Sequence, residues 1–136
     1  MTSKKWISIS VIALILIVAI GVWYANSRPD TFIKEAGGNI YADDYEEKFN
    51  EIESKVEVTP KKLTDLVIKS YVDLDQGSLK YELYDPNGAL VESEQITQDK
   101  SYSKEITVKY TPGIWVAKYY INSKTNGSYN VTLTGQ

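Results

Sequence analysis

The chain has no cysteine and no histidine among its 136 residues. Without cysteine it can form no disulfide, zinc–thiolate site or cysteine nucleophile. Without histidine it lacks the commonest general base near neutral pH and the commonest metal ligand. Serine–histidine–aspartate and cysteine–histidine catalytic arrangements are therefore excluded. We expect a protein that is not an enzyme and that carries no cofactor.

An excess of positive charge is also missing. The chain holds 15 basic and 18 acidic residues, for a net charge of −3. Lys4 and Lys5 precede a long hydrophobic run, so the remainder is more acidic still. Domains that bind nucleic acid usually present a basic patch to the phosphate backbone. We therefore expect no nucleic-acid partner.

The long hydrophobic run predicts a membrane-spanning helix over residues 6–24, which contain no charged side chain. Such a helix would be roughly 28 Å long, close to the hydrocarbon thickness of a bilayer. Trp6 lies at one end of the run, and Trp23 and Tyr24 lie at the other, as expected for aromatic residues at the two interfaces. Lys4 and Lys5 favour a cytoplasmic N-terminus with the rest of the chain outside, as in a single-pass signal-anchor protein.

A cleaved signal peptide is the alternative interpretation of residues 1–25. The segment 19–21 offers small residues at both ends, as a cleavage site requires. The run is longer than a signal peptide needs, and Trp23 is too bulky for the site ending at Ala25. We favour an uncleaved anchor. If cleavage occurs, the product is a secreted soluble factor.

Residues 26–52 are predicted to form a linker, or stalk, between the membrane and a domain. Pro29, Gly37 and Gly38 interrupt regular structure, and charges of both signs surround them. Within residues 40–52, apolar side chains recur at helical spacing, which indicates a short amphipathic helix.

From about residue 53 to residue 136 the apolar pattern changes to a period of two, which is typical of strands. Turn signals at short intervals divide the region, the clearest being residues 85–88 (DPNG). The pattern predicts about seven strands in an antiparallel β-sandwich, with a jelly roll as a close variant. We place Asp73, Glu82 and Glu92 on the outward faces.

Three stretches carry a resemblance to a known domain type: residues 77–88 (GSLKYELYDPNG), 112–115 (PGIW) and 127–131 (GSYNV). The spacing of turns and aromatic residues in these stretches resembles that of the bacterial pre-peptidase C-terminal domain and of other extracellular β-sandwiches. The resemblance covers about 60 residues. It implies an accessory or binding module on an exported protein. No peptidase precedes the domain here, so a role beside a protease is not carried over.

Asp73, Asp75 and Gly77 match the start of a calcium-binding loop. An EF-hand loop needs a glutamate at its twelfth position, where this chain has Tyr84. A polar strand end followed by a turn is the favoured interpretation. We expect no metal, with Asp73 and Asp75 as the weak candidates.

Tyr71, Tyr84 and Tyr120 fall on strand faces predicted to point outward. Exposed tyrosine offers rigid apolar area and a hydroxyl group, which suits contacts with protein or sugar. The competing interpretation is that these rings merely cover the outer sides of the sheets. The three tyrosines are the candidate binding surface.

The sequence therefore predicts a non-catalytic binding or structural module at the bacterial cell surface. It would be anchored through residues 6–24, and its partner would be an envelope protein or a glycan. The alternative is a small glycan hydrolase that uses two carboxylates. Against a hydrolase, the outward acids have no evident apolar pocket to raise a pKa, and no long loop provides a cleft.

Overall fold

A computed structural model describes residues 17–20, 23 and 31–136. Residues 17–20 and 23 are helical. Most of the predicted membrane span, residues 6–24, lies outside the described residues. Within the part of the chain that the structure describes, no helix has the length and apolar character needed to cross a bilayer.

Residues 31–136 contain eight strands in two four-stranded antiparallel sheets. Sheet I has the order β1-β8-β3-β6 and sheet II the order β2-β7-β4-β5. Together they form a β-sandwich whose nested strand order is that of a jelly roll. The strands are β1 Phe32–Ile40, β2 Glu51–Val58, β3 Asp65–Gln76, β4 Ser78–Tyr84, β5 Leu90–Thr97, β6 Tyr102–Lys109, β7 Gly113–Tyr120 and β8 Asn126–Gly135.

The sequence predicted about seven strands, and the eighth is β1, which occupies residues assigned to the linker. Gly37 and Gly38 were interpreted as linker residues, but both lie within β1 and pair with β8. A Cβ atom at Gly37 would lie 2.6 Å from the backbone oxygen of Tyr129. Glycine at this position therefore permits close strand approach rather than flexibility. The β-sandwich begins at Phe32 and not at residue 53.

The amphipathic helix predicted within residues 40–52 is absent. A single 3-10 turn, Ala42–Asp44, follows β1, and an isolated bridge joins Glu46 to Phe49. The backbone N–H of Ala42 donates to the side chain of Asn126 at 2.7 Å, which ties this connection to β8. Phe49 is exposed, so the helical spacing did not mark a buried face.

The hydrophobic core lies between the sheets and is formed by the inward side chains of both. The faces predicted for β3, β4, β7 and β8 are confirmed, because their alternate apolar residues are buried. The largest fully buried apolar side chains are Trp115, Tyr81, Tyr119, Leu66, Ile68, Leu79, Leu83, Leu133, Val58, Val72 and Val131.

Glu92 was predicted to point outward, and this was wrong. Ile96 of β5 faces the core, so the strand period of two brings Glu92 to the same face, where it is 5% exposed. Its carboxyl group accepts a hydrogen bond from Ser70 at 2.9 Å and another from the Tyr102 hydroxyl. Ser70 also bonds to the Tyr81 hydroxyl at 2.7 Å. These four residues form a polar bridge between the two sheets.

Aromatic rings continue from this polar bridge into the core. The ring centroids of Tyr81 and Tyr119 are 5.2 Å apart, and those of Tyr119 and Tyr129 are 4.4 Å apart. Within residues 31–136, the buried Tyr119 hydroxyl has no hydrogen-bond partner. Burial raises the pKa of Tyr81 and of Tyr119 well above the ordinary value of a phenol.

These raised pKa values predict a loss of stability at alkaline pH. Below about pH 10 both phenols are protonated in the folded and in the unfolded protein, and their contribution to stability is complete. Above about pH 10 the unfolded chain releases phenol protons that the folded chain retains. The free energy of unfolding should then fall by about 1.4 kcal/mol per pH unit for each such phenol. Urea unfolding between pH 8 and pH 11 measures this fall.

Tyr119→Phe is the matched variant for this titration. It removes one titrating phenol, so the fall between pH 10 and pH 11 should be shallower than in the parent. It also removes an unpaired buried hydroxyl, which should raise stability at pH 8 by about 1 kcal/mol. An unchanged alkaline slope would show that the loss comes from other groups.

One end of the β-sandwich holds both the start of β1 and the C-terminus. Phe32 pairs with Gly135 at this end, and the backbone N–H of Asp65 donates to the oxygen of Gln136 at 3.0 Å. The turn between β4 and β5 lies at the same end, where Pro86 contacts Gly113 at the start of β7. The connection between β1 and β2 lies at the opposite end.

Candidate binding face

The outward side chains of β2, β7 and β4 form rows across the outer face of sheet II. Antiparallel pairing brings directly opposed side chains on one face within about 5 Å of each other. The register gives three such rows across β2, β7 and β4: Lys55–Val116–Tyr84, Glu53–Lys118–Glu82 and Glu51–Tyr120–Lys80.

Tyr84 and Tyr120 lie on either side of Glu82, and their hydroxyl groups are close enough to its carboxylate to interact with it. Glu82 is only 9% exposed although it lies on the outer face, because neighbouring side chains cover it. Burial and the neighbouring Glu82 carboxylate raise the pKa of Tyr120 to about 12. The same two causes raise the pKa of Tyr84. Both phenols are protonated at neutral pH, as tyrosines ordinarily are, and can donate a hydrogen bond.

Lysine side chains complete the surroundings of this tyrosine pair. The Lys118 ammonium lies 5.5 Å from the centre of the Tyr84 ring and 3.4 Å from the Glu51 carboxylate. Lys80 lies 3.8 Å from the Glu82 carboxylate. Ion pairs at a surface contribute little stability, but they hold side chains in defined positions. The Tyr84 ring is thus restrained on one face by Lys118.

A groove of about 450 Å³ runs along this face beside Tyr84. Its lining combines apolar side chains with charged side chains of both signs. The residues that line it are Glu53, Lys55, Tyr84, Asp85, Pro86, Gly88, Ile114, Val116 and Lys118.

The turn between β4 and β5 forms one wall of the groove, and its hydrogen bonds make it rigid. The Asp85 side chain accepts from the backbone N–H of Asn87 at 2.8 Å and from that of Ala89 at 3.0 Å. The backbone N–H of Gly88 donates to the Asp85 backbone oxygen at 3.0 Å. The turn predicted at residues 85–88 is therefore confirmed, and it holds Pro86 against the groove.

The structure brings together two of the three predicted surface tyrosines. Tyr84 and Tyr120 are on adjacent strands of sheet II. Tyr71 lies on the outer face of sheet I, 43% exposed, in a row with Asn130 and Ser103. Tyr71 is therefore on the opposite side of the β-sandwich and takes no part in the groove.

Asp73 and Asp75 are both exposed, near the end of β3 on sheet I. They line a shallow depression of about 380 Å³ together with Tyr41, Asn126 and Ser128. Within residues 31–136, no group of three or more acidic, histidine or cysteine side chains is arranged to hold a metal ion. The two aspartates therefore lack the further charged ligand that a calcium site of this type usually has.

Sequence reasoning missed several residues of this face: Glu82 as a buried outer-face carboxylate, and Lys118, Val116 and Pro86 as groove residues. The alternation of β4 does place Glu82 and Tyr84 on one face, which was a usable signal. The neighbouring position of β7 follows from the strand order, which no local pattern in the sequence reveals.

Comparison with known proteins places the chain in no family. No family model matches it, and no curated protein matches it. The resemblance to pre-peptidase C-terminal domains therefore stays a prediction.

Some solved structures match the chain at low sequence identity. A chain of the disulfide-linked pili that form Bacillus endospore appendages is 14% identical, with 81% of this chain and 93% of that chain covered and a TM-score of 0.42. Latent PorU from Porphyromonas gingivalis is 11% identical, with 79% and 13% covered and a TM-score of 0.47. The xylan-binding domain CBM22-1 of Paenibacillus barcinonensis Xyn10C is 15% identical, with 77% and 83% covered and a TM-score of 0.31. Scores this low carry no argument about function.

Proposed function

We propose that this chain is a non-catalytic binding module, held at the outer surface of a bacterial cell membrane and using the outer face of sheet II as its contact surface. The observation that carries the proposal is the restrained tyrosine pair beside the groove. Tyr84 and Tyr120 flank one buried carboxylate, and the Lys118 ammonium lies 5.5 Å from the centre of the Tyr84 ring. Side chains that are already held in place lose less entropy when a partner binds.

The chemistry of this face suits binding better than catalysis. A phenol is protonated at neutral pH, and burial and Glu82 raise the pKa of both phenols further. They can therefore donate hydrogen bonds but do not act as bases. The other buried carboxyl group, Glu92, is enclosed by Ser70 and Tyr102 between the sheets and faces away from the groove.

The membrane tether rests on residues 6–24, with their uncharged run, flanking aromatics and preceding lysines. In the proposed orientation the N-terminus is cytoplasmic and the β-sandwich is outside. The test is a full chain with a C-terminal tag in a bacterial host, exposed to external protease as intact protoplasts. We expect full-length membrane-bound protein whose tag is removed. A shortened soluble product in the medium would replace the anchor with a cleaved signal peptide.

Binding through sheet II is tested by co-sedimentation of the detergent-solubilised full chain with an insoluble cell-wall fraction from which membranes have been removed. Tyr84→Ala combined with Tyr120→Ala should abolish retention, whereas Tyr71→Ala on the opposite face should not. Circular dichroism checks that each variant is folded. Retention that persists in the folded double variant would reject this face. Cleavage of an envelope glycan by the same preparation would favour the hydrolase alternative.

A further inference from the structure

We propose that the groove on the outer face of sheet II binds a neutral polysaccharide chain. This inference rests on the function proposed above, because it names the ligand of the same face. Three features of the groove support it: a position on the face of the sheet, charged side chains that sum to zero, and an apolar strip beside polar groups.

The groove lies on the face of sheet II, over β2 and β7, and it reaches the end of β4 at Tyr84. β7 is an interior strand and β2 is an edge strand. An extended peptide that adds a strand to a sheet pairs with the free backbone edge, here that of β2, and not with the face. A ligand in the groove instead meets the outward side chains of these strands.

The charges in the groove cancel. Glu53 and Asp85 supply two carboxylates, while Lys55 and Lys118 supply two ammonium groups. Lys55 lies 3.4 Å from Glu53, so these two charges already compensate each other. The side chains that line the groove therefore carry no net charge, which favours neither an anionic nor a cationic ligand. It does present donors and acceptors at short intervals. A sugar hydroxyl both donates and accepts, so it can use either kind of group.

An apolar strip accompanies these polar groups. Ile114 is 52% exposed, and it borders the groove with Val116, Pro86 and the Tyr84 ring. A pyranose ring has an apolar face of C–H groups and a rim of hydroxyls, which matches an apolar strip flanked by polar side chains. Tyrosine provides both kinds of contact in one rigid side chain.

The shape of the groove favours a polymer over a small molecule. Sites for small ligands are usually enclosed and bury most of the ligand surface. This groove is open to solvent on a sheet face, with the β4–β5 turn as one of its walls. A chain of sugars can therefore contact it with a few units and continue beyond it.

The test is isothermal titration of the full chain, purified in a detergent without a sugar headgroup so that the detergent cannot occupy the groove. The probes are the hexasaccharides of β-1,4-linked glucose, xylose and N-acetylglucosamine, with polygalacturonate as an acidic comparison. We expect binding to at least one neutral probe and none to polygalacturonate. Tyr84→Ala should weaken binding at least tenfold, whereas Tyr71→Ala should leave it unchanged.

A second variant guards against misfolding of the first. The Ile114 side chain is half exposed, so Ile114→Glu should leave the fold intact while placing a charge in the apolar strip, and binding should again fall at least tenfold. No binding to any neutral probe, or binding to polygalacturonate alone, would overturn the polysaccharide assignment. If envelope retention still depended on Tyr84 and Tyr120 in that case, the binding face itself would stand. Neutral-glycan binding that Tyr84→Ala and Ile114→Glu leave unchanged would reject both the ligand assignment and the face.

Discussion

Glu92→Ala should lower the free energy of unfolding by about 3 kcal/mol. The substitution removes the acceptor of the hydrogen bonds from Ser70 and Tyr102, and each donor left unsatisfied in a buried position costs about 1–3 kcal/mol. The bridge joins β5 of sheet II to β3 and β6 of sheet I, so its loss also weakens contact between the sheets. Urea unfolding followed by circular dichroism measures the change.

Two variants separate this effect from a general effect of charge. Glu92→Gln retains an acceptor oxygen in the same place and should cost about 1 kcal/mol. Glu94→Ala removes an exposed carboxylate from the same strand and should change stability by less than about 0.5 kcal/mol. If Glu92→Ala were as mild as Glu94→Ala, the polar bridge would have no part in stability.

Gly77→Ala should cost about 3 kcal/mol, and Gly88→Ala about 1 kcal/mol. Both glycines have nearly the same backbone conformation, with φ of +79° and +83°. A Cβ atom at Gly77 would lie 2.6 Å from the backbone oxygen of Lys124, whereas one at Gly88 would meet nothing within 4 Å. Because both variants place alanine at positive φ, their difference isolates the steric clash.

Thermal and urea unfolding of both variants measure that difference. The β3–β4 turn at Gly77 is held against the connection between β7 and β8, so the clash must move one of two backbone segments. Equal losses for Gly77→Ala and Gly88→Ala would mean that this contact yields easily and that only the backbone conformation matters.

Much of the β-sandwich could be predicted because the buried residues of its strands alternate along the sequence. In β3, β4, β7 and β8 most of the buried apolar residues fall on every second position, and the core is formed largely from them. β1 escaped prediction because Gly37 and Gly38 look like linker residues unless the position of the Tyr129 backbone is known. Glu92 escaped because a carboxylate facing the core is acceptable only where hydroxyl groups from other strands meet it.

The candidate site was predictable only in part. Alternation placed Tyr84 and Tyr120 outward, but they come together because β4 and β7 are neighbours in sheet II. That pairing is a long-range property of the jelly roll, and local patterns in the sequence do not contain it. Tyr71 lies at an outward position of an alternating strand, as Tyr84 does. Only the strand topology shows that Tyr71 belongs to sheet I and Tyr84 to sheet II.

The position of β1 determines how the domain would withstand mechanical load. If the chain is anchored as proposed, any pull between the membrane and a ligand on sheet II enters through Phe32, at the start of an edge strand. β1 pairs with β8 alone, in continuous register from Phe32↔Gly135 to Ile40↔Gly127. The β4–β5 turn beside the groove lies at the same end of the β-sandwich as Phe32, so a pull between Phe32 and a ligand in the groove is directed across the strands and not along β1. Because the ladder hydrogen bonds also run perpendicular to the strands, such a pull separates β1 from β8 one pair at a time, beginning at Phe32↔Gly135. Under tension β1 would therefore be the first strand to detach.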